Sequence, residues 1–157
     1  MSRVVSQEQS GLVLTRQGTW LYQGSPVENP RISAYFHRCI QKDEEGKYFL
    51  KNQGGDMDEC VYFQKEGTAY FIENLYFDEM EEAFRVLLNT GIQTSLDLRT
   101  LYADMDGSLY ARILDRDAAL FTSAALQNLA SFLEEDEQGY FVRATGQRLD
   151  HANFGTL

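Results

Sequence analysis

The chain carries one pattern twice. Residues 36–50 read FHRCIQKDEEGKYFL and residues 129–142 read LASFLEEDEQGYFV. In each, apolar residues at helical spacing run into an acidic turn that ends in glycine, and an aromatic strand follows. Phe36, Cys39 and Ile40 match Leu129, Phe132 and Leu133, and Asp43-Glu44 and Gly46 match Asp136-Glu137 and Gly139, every pair at the same offset. A constant offset points to duplication, so the fold must accommodate two copies of one unit.

The match extends outward from this string. Leu12–Leu14 and Thr19–Tyr22 read as strands around Gln17-Gly18, and Leu98–Tyr102 and Leu109–Leu114 as a hairpin about Asp106-Gly107. Asn29-Pro30 suits a helix cap and first turn, after which Ile32, Phe36, Cys39 and Ile40 fall on one helical face. A second helix is expected from Thr122 to Glu134, capped by Thr122 or Ser123, with Leu126, Leu129, Phe132 and Leu133 inward. Tyr48–Lys51 and Tyr140–Arg143 are the strands that close the two copies. Cys60–Phe63 and Thr68–Phe77 read as further strands on either side of Lys65-Glu66-Gly67.

The fold class this implies is α+β, with two related halves, each a small antiparallel sheet and one amphipathic helix. The expected divisions are a disordered terminus at 1–10, an N-terminal repeat unit at 11–55, linking strands at 56–97 and a C-terminal repeat unit at 98–157, packed as one body. Residues 78–90 are ambiguous. Met80, Ala83, Phe84, Leu87 and Leu88 fit a helix, whereas Phe84, Val86 and Leu88 alternate as in a strand.

The segment Trp20-Leu21-Tyr22-Gln23-Gly24-Ser25-Pro26-Val27, then Phe36 and Ile40, then Gly46-Lys47-Tyr48-Phe49-Leu50, resembles the bacterial DUF1285 family, a domain of unknown function. Asn89-Thr90-Gly91 is loosely similar to the end of a strand in that family. The resemblance implies a cytoplasmic protein with a duplicated core, a C-terminal half superficially similar to pleckstrin-homology domains, and clefts between the halves. It also implies a strand over Ala83–Leu88. The family has no assigned reaction, so no catalytic residues carry over.

Composition bounds the partners. The net charge is −10, made of +2 over residues 1–53 and −12 over residues 54–157. A surface so acidic repels phosphate backbones and anionic lipid, which disfavours nucleic acid and membranes. Cys39 and Cys60 follow no metal spacing and are too few for a disulfide framework. The polar start MSRVVSQEQSG lacks the apolar stretch of a secretory signal, and a cytoplasmic location is expected.

Chemistry-bearing residues are sparse. His37 and Cys39, two apart on a helix, point in different directions and make no dyad, with Cys39 read as a core thiol. His151 stands in the tail. Asp104-Met105-Asp106-Gly107 resembles part of a calcium loop, but Tyr102 and Ile113 stand where the flanking ligands belong, and a hairpin turn is the expectation. Asp56, Asp58 and Glu59 are acidic loop residues. Gly54-Gly55 lacks the lysine and spacing of a phosphate loop. The acidic runs are expected at helix C-termini, the unfavourable end of the dipole.

No catalytic, cofactor or metal site is therefore expected. Trp20 and Tyr22 share one face of a strand, which reads either as core or as the lining of a cleft between the halves, and Trp20, Tyr22 and His37 are the candidate cleft residues. The reading is a binding or regulatory module that engages a protein or small ligand between the halves. An enzyme with its site in the same place is the alternative.

Overall fold

The computed structural model describes residues 2–54 and 57–149. Asp56 and His151 lie outside them. Tertiary contacts divide the chain into two compact units, Met1–Ala69 and Tyr70–Leu157, and the segment 56–97 is divided between them. The fold is α+β, built of several small sheets and few helices.

The first unit contains β1 (Ser2–Val5), α1 (Gln7–Ser10), β2 (Leu12–Leu14), β3 (Trp20–Tyr22), β4 (Ser25–Pro26), α2 (Pro30–Arg38), β5 (Ile40–Lys42), β6 (Tyr48–Gly54), β7 (Met57–Tyr62) and β8 (Gln64–Lys65). They form two four-stranded sheets, β1-β7-β6-β5 and β4-β3-β2-β8. The N-terminal residues, expected to be disordered, instead form β1 and α1. β1 pairs parallel with β7 from Ser2↔Asp58 to Val5↔Val61, and this backbone ladder needs no apolar pattern. α1 is fixed by a capping box: Gln9 N–H donates to Ser6 Oγ at 3.3 Å and Ser6 N–H to Gln9 Oε1 at 3.2 Å.

Asn29 caps α2, its Oδ1 accepting from Arg31 N–H at 2.9 Å, with Pro30 in the first turn. The helix stops at Arg38 with Cys39 as its cap, sooner than the apolar spacing implies. Ile40 is the first residue of β5 and is buried from there. Leu12, Leu14, Trp20, Ile40, Leu50 and Phe63 form the core of this unit.

The second unit contains β9 (Tyr70–Asp78), β10 (Ala83–Leu88), β11 (Gln93–Leu96), β12 (Tyr102–Ala103), β13 (Leu109–Arg112), β14 (Ala118–Phe121), α3 (Ser123–Ala130), β15 (Leu133–Asp136) and β16 (Gly139–Val142). A six-stranded sheet runs β11-β10-β9-β14-β13-β12, and β15 and β16 form a separate hairpin. Ala83–Leu88 is a strand, with Phe84, Val86 and Leu88 buried and the residues between them half-buried. Met80, which a helix would have turned inward, is fully in solvent.

Thr122 caps α3. Its Oγ1 accepts from Ala125 N–H at 3.2 Å and donates to Ile72 O at 2.9 Å, tying the helix to β9. The helix ends at Ala130 and not at Glu134. Ala125 and Leu129 are buried, whereas Leu126, expected inward, is exposed.

The duplication is visible in backbone detail. The order β2-β3-β4, α2, β5-β6-β7 recurs as β12-β13-β14, α3, β15-β16 and a bridge from Phe141 to Arg148. Lys51 N–H donates to Cys39 O at 2.9 Å, and at the matching place Arg143 N–H donates to Phe132 O at 3.0 Å. Ile40 pairs with Leu50 and Leu133 with Val142, so the second acidic turn is one residue shorter. The acidic runs thus sit in hairpins and not at helix ends, which removes the unfavourable dipole placement expected for them.

One loop geometry recurs along the chain. At Thr15–Thr19, Asp43–Lys47, Leu88–Ile92, Asp104–Ser108 and Ile113–Asp117, the first N–H donates to the last carbonyl and the fourth N–H to the first carbonyl. The fourth residue is left-handed in each: Gly18, Gly46, Gly91, Gly107 and, in the last, Arg116 at φ 66°. This is a type I turn closed by a left-handed residue, for which glycine is the favoured occupant. Arg116 is exposed and its side chain stands in a region that costs L-residues about 1–2 kcal/mol. Arg116→Gly is therefore expected to raise stability by roughly 1 kcal/mol after glycine's greater entropy loss. The check is a higher denaturation midpoint at an unchanged m value.

Candidate functional site

Of the three candidate cleft residues, Trp20 and His37 are in contact and Tyr22 stands apart at the surface. Trp20 is fully buried and packs edge-on against Phe63 at 4.8 Å and Phe36 at 5.6 Å between ring centroids. His37 lies against the same indole at 5.5 Å. Its Nε2 stands 3.1 Å from Gly18 O, and since a carbonyl only accepts, Nε2 carries the proton. Burial pushes the imidazole pKa down, partly offset by the Gly18 carbonyl, so the half-buried ring is neutral at neutral pH. Tyr22, two residues beyond Trp20, is 51% exposed where β3 runs past the edge of the core.

A cavity of the first unit lies elsewhere. It encloses about 810 Å³ between three segments: Val4 to Glu8, the acidic turn from Asp43 to Tyr48, and Tyr62 to Lys65. The turn is held by Asp43. Its Oδ1 accepts from Lys47 N–H at 2.8 Å and Glu45 N–H at 2.9 Å, and its Oδ2 accepts from Tyr62 O–H at 3.0 Å. The Lys47 N–H, with further help from Tyr62 and Glu45, holds the Asp43 pKa below the usual carboxylate range. Donating to that carboxylate raises the Tyr62 pKa. Asp43 is thus fixed as an anion and Tyr62 as a phenol.

The remaining lining is both aromatic and charged. Lys65 Nζ lies 5.4 Å from the Tyr48 ring centroid, within cation–π reach, and donates to Gly67 O at 3.2 Å. Lys47 faces Glu45 at 3.7 Å. Both lysines are thereby engaged, whereas Glu8 and Glu44 form no ion pair among the described residues. The uncommitted charge in the cavity is negative.

The second copy shows a contrasting solution at the matching place. Asp136 receives both Nη1 and Nη2 of Arg148, whose guanidinium stands 5.3 Å from the Phe141 ring. In the first copy Tyr62 pairs with Phe49, their rings 5.3 Å apart, and reaches Asp43. Arg148 and Tyr62 are therefore equivalent, each set beside the aromatic residue of the hairpin and aimed at its aspartate. The guanidinium lowers the Asp136 pKa and cancels its charge; the phenol leaves the charge of Asp43 in place.

Other sequence candidates are turn or packing residues. Asp104 Oδ1 accepts from Asp106 N–H and Ser108 N–H, both at 3.0 Å, and Oδ2 from Tyr110 O–H at 3.1 Å, which makes it the pin of a hairpin like Asp43. Cys39 and Cys60 are half-buried free thiols. Their backbones flank Lys51 on two sides, roughly 10 Å apart at the usual strand spacing and too far for a disulfide. No group of three or more His, Cys, Asp or Glu side chains suited to a metal ion occurs among the described residues. No helix among them is long and apolar enough to cross a membrane.

No protein-family model and no curated protein sequence matches the chain. Two solved structures resemble it. A DUF1285 family protein from Silicibacter pomeroyi DSS-3 aligns with a TM-score of 0.58 and 15% identity, over 94% of this chain and 80% of that one. A DUF1285 family protein from Shewanella baltica OS155 aligns with a TM-score of 0.53 and 18% identity, over 80% of this chain and 94% of that one. The duplicated helix-and-hairpin units described above are thus set in the fold of the DUF1285 proteins, a domain of unknown function.

Proposed function

We propose that the chain is a non-enzymatic binding or regulatory module that engages a positively charged small ligand or basic segment of a protein in the cavity of its first unit. The observation that carries this reading is a cavity of about 810 Å³, within the usual range of ligand sites, whose uncommitted charges are the carboxylates of Glu8 and Glu44. The shifts at Asp43 and Tyr62 run toward carboxylate and phenol, away from the poised pKa values that proton transfer needs at neutral pH.

Titration calorimetry with spermidine and with a lysine- and arginine-rich peptide tests the proposal. Saturable binding is expected at low salt and should weaken as salt is raised. The Glu8→Gln, Glu44→Gln double variant should bind about tenfold more weakly, a loss of two exposed charge interactions, with an unchanged thermal midpoint. Parental affinity in that variant, or no binding of either probe, would remove the cavity as the site.

A further inference from the structure

Helix α2 carries a second charged surface of the opposite sign. Arg31 and Arg38 are seven residues apart and therefore on one face, roughly 10 Å from each other along the axis. Both are exposed, and neither forms an ion pair among the described residues, although the chain has 24 acidic side chains against 14 basic ones. Between them lies a shallow groove of about 480 Å³ with Ala34 and Tyr35 as its floor. Tyr35 is 48% exposed and is anchored by its O–H, which donates to Asn52 Oδ1 at 2.6 Å.

The fold itself does not call for these arginines. In the second copy the matching positions of α3 are Ala124 and Ser131, and that helix forms without a charged residue. Arg31 also stands in the first turn of α2, where the helix dipole disfavours a cation. Two unpaired cations are thus kept on one helical face, one at its unfavourable end, around an apolar floor.

We propose that this face of α2 docks an acidic polypeptide segment, one that presents two carboxylates about 10 Å apart with an apolar residue between them. A helix with acidic residues seven apart and a leucine midway has this form, its carboxylates meeting Arg31 and Arg38 and its leucine lying on Ala34 and Tyr35. The apolar floor favours a peptide over a bare anion. The net charge of −10 works against extended polyanions such as nucleic acid.

The test is fluorescence anisotropy with a labelled helical peptide bearing glutamates seven apart and a leucine between them. Binding to the full chain is expected at low salt and should weaken near physiological salt. The Arg31→Ala, Arg38→Ala double variant should bind about tenfold more weakly. Its circular dichroism should match the parent, because the second copy tolerates Ala and Ser at these places. Arg116→Gly, which also removes an exposed arginine, should bind as the parent does. Three results would overturn the proposal: equal binding by the double variant, equal binding of the peptide with leucine replaced by serine, or equal or tighter binding of single-stranded RNA. Self-association of the chain that the double variant abolishes, without peptide binding, would assign the face to a second copy and overturn it as well.

Discussion

Trp20→Ala is expected to lower the unfolding free energy by about 3–5 kcal/mol, the usual loss for truncating a large buried aromatic. The indole has no exposed surface, and Phe36, His37 and Phe63 all lean on it. Tyr22→Ala should cost less than about 1 kcal/mol, as at other exposed sites. Urea denaturation followed by circular dichroism separates the two; similar losses at both positions would contradict the placement of Tyr22 at the surface. Trp20→Phe should be milder than Trp20→Ala, since it leaves a smaller cavity and removes an indole N–H that is buried without a hydrogen-bond partner.

A second large effect is expected at Asn89. Its buried side chain accepts from Phe71 N–H at 2.9 Å through Oδ1, while the backbone N–H of Asn89 donates to Phe71 O at 2.9 Å. It stands just past an irregularity in the β9–β10 ladder at Leu87 and Leu88, and its amide continues the pairing where the register shifts. Asn89→Ala removes the side-chain acceptor of the Phe71 N–H and should cost about 1–3 kcal/mol. Hydrogen exchange gives the specific readout: the Phe71 amide should lose protection more than its neighbours do. Uniform loss along β9 would mean general destabilisation in place of a broken clamp.

The sequence revealed the duplication because the two copies use the same local devices, a capped helix and a glycine-closed hairpin. It overran both helices by the same error. Ile40 and Leu133 continue the apolar helical spacing, yet each opens a strand whose first residue faces the same side as the helix it follows. No glycine or proline marks the helix end, so periodicity alone had nothing to stop it. Ala83–Leu88 was legible as a strand only through the family resemblance, since periodicity over Met80–Leu88 favours a helix.

The candidate cavity was only half legible. The acidic turn stood out in the sequence, but as a mark of ancestry. Its companions do not: Tyr62 reaches Asp43 across the β6–β7 pairing, a long-range register that no local spacing encodes. Residues 1–10 lack periodicity because β1 is held chiefly by its backbone ladder, with Arg3 and Val4 exposed. Trp20 and Tyr22 do alternate as a shared strand face requires, yet three residues of β3 are too few for that face to stay covered.

The parallel pairing of β1 with β7 also sets an order of events in time. Ser2–Val5 is synthesised well before its partner Met57–Tyr62, which is made after every other strand of that sheet, so β1 has to wait for closure of a long loop. An edge strand of four residues is also among the first to open in the folded state. Because Val4 to Glu8 forms one wall of the cavity, a ligand of the kind proposed, if gripped by Glu8, could leave when that wall swings away, with the rest of the unit still folded. Residence time at the site would then follow the detachment of the N-terminal strand, and global stability would be a poor guide to it.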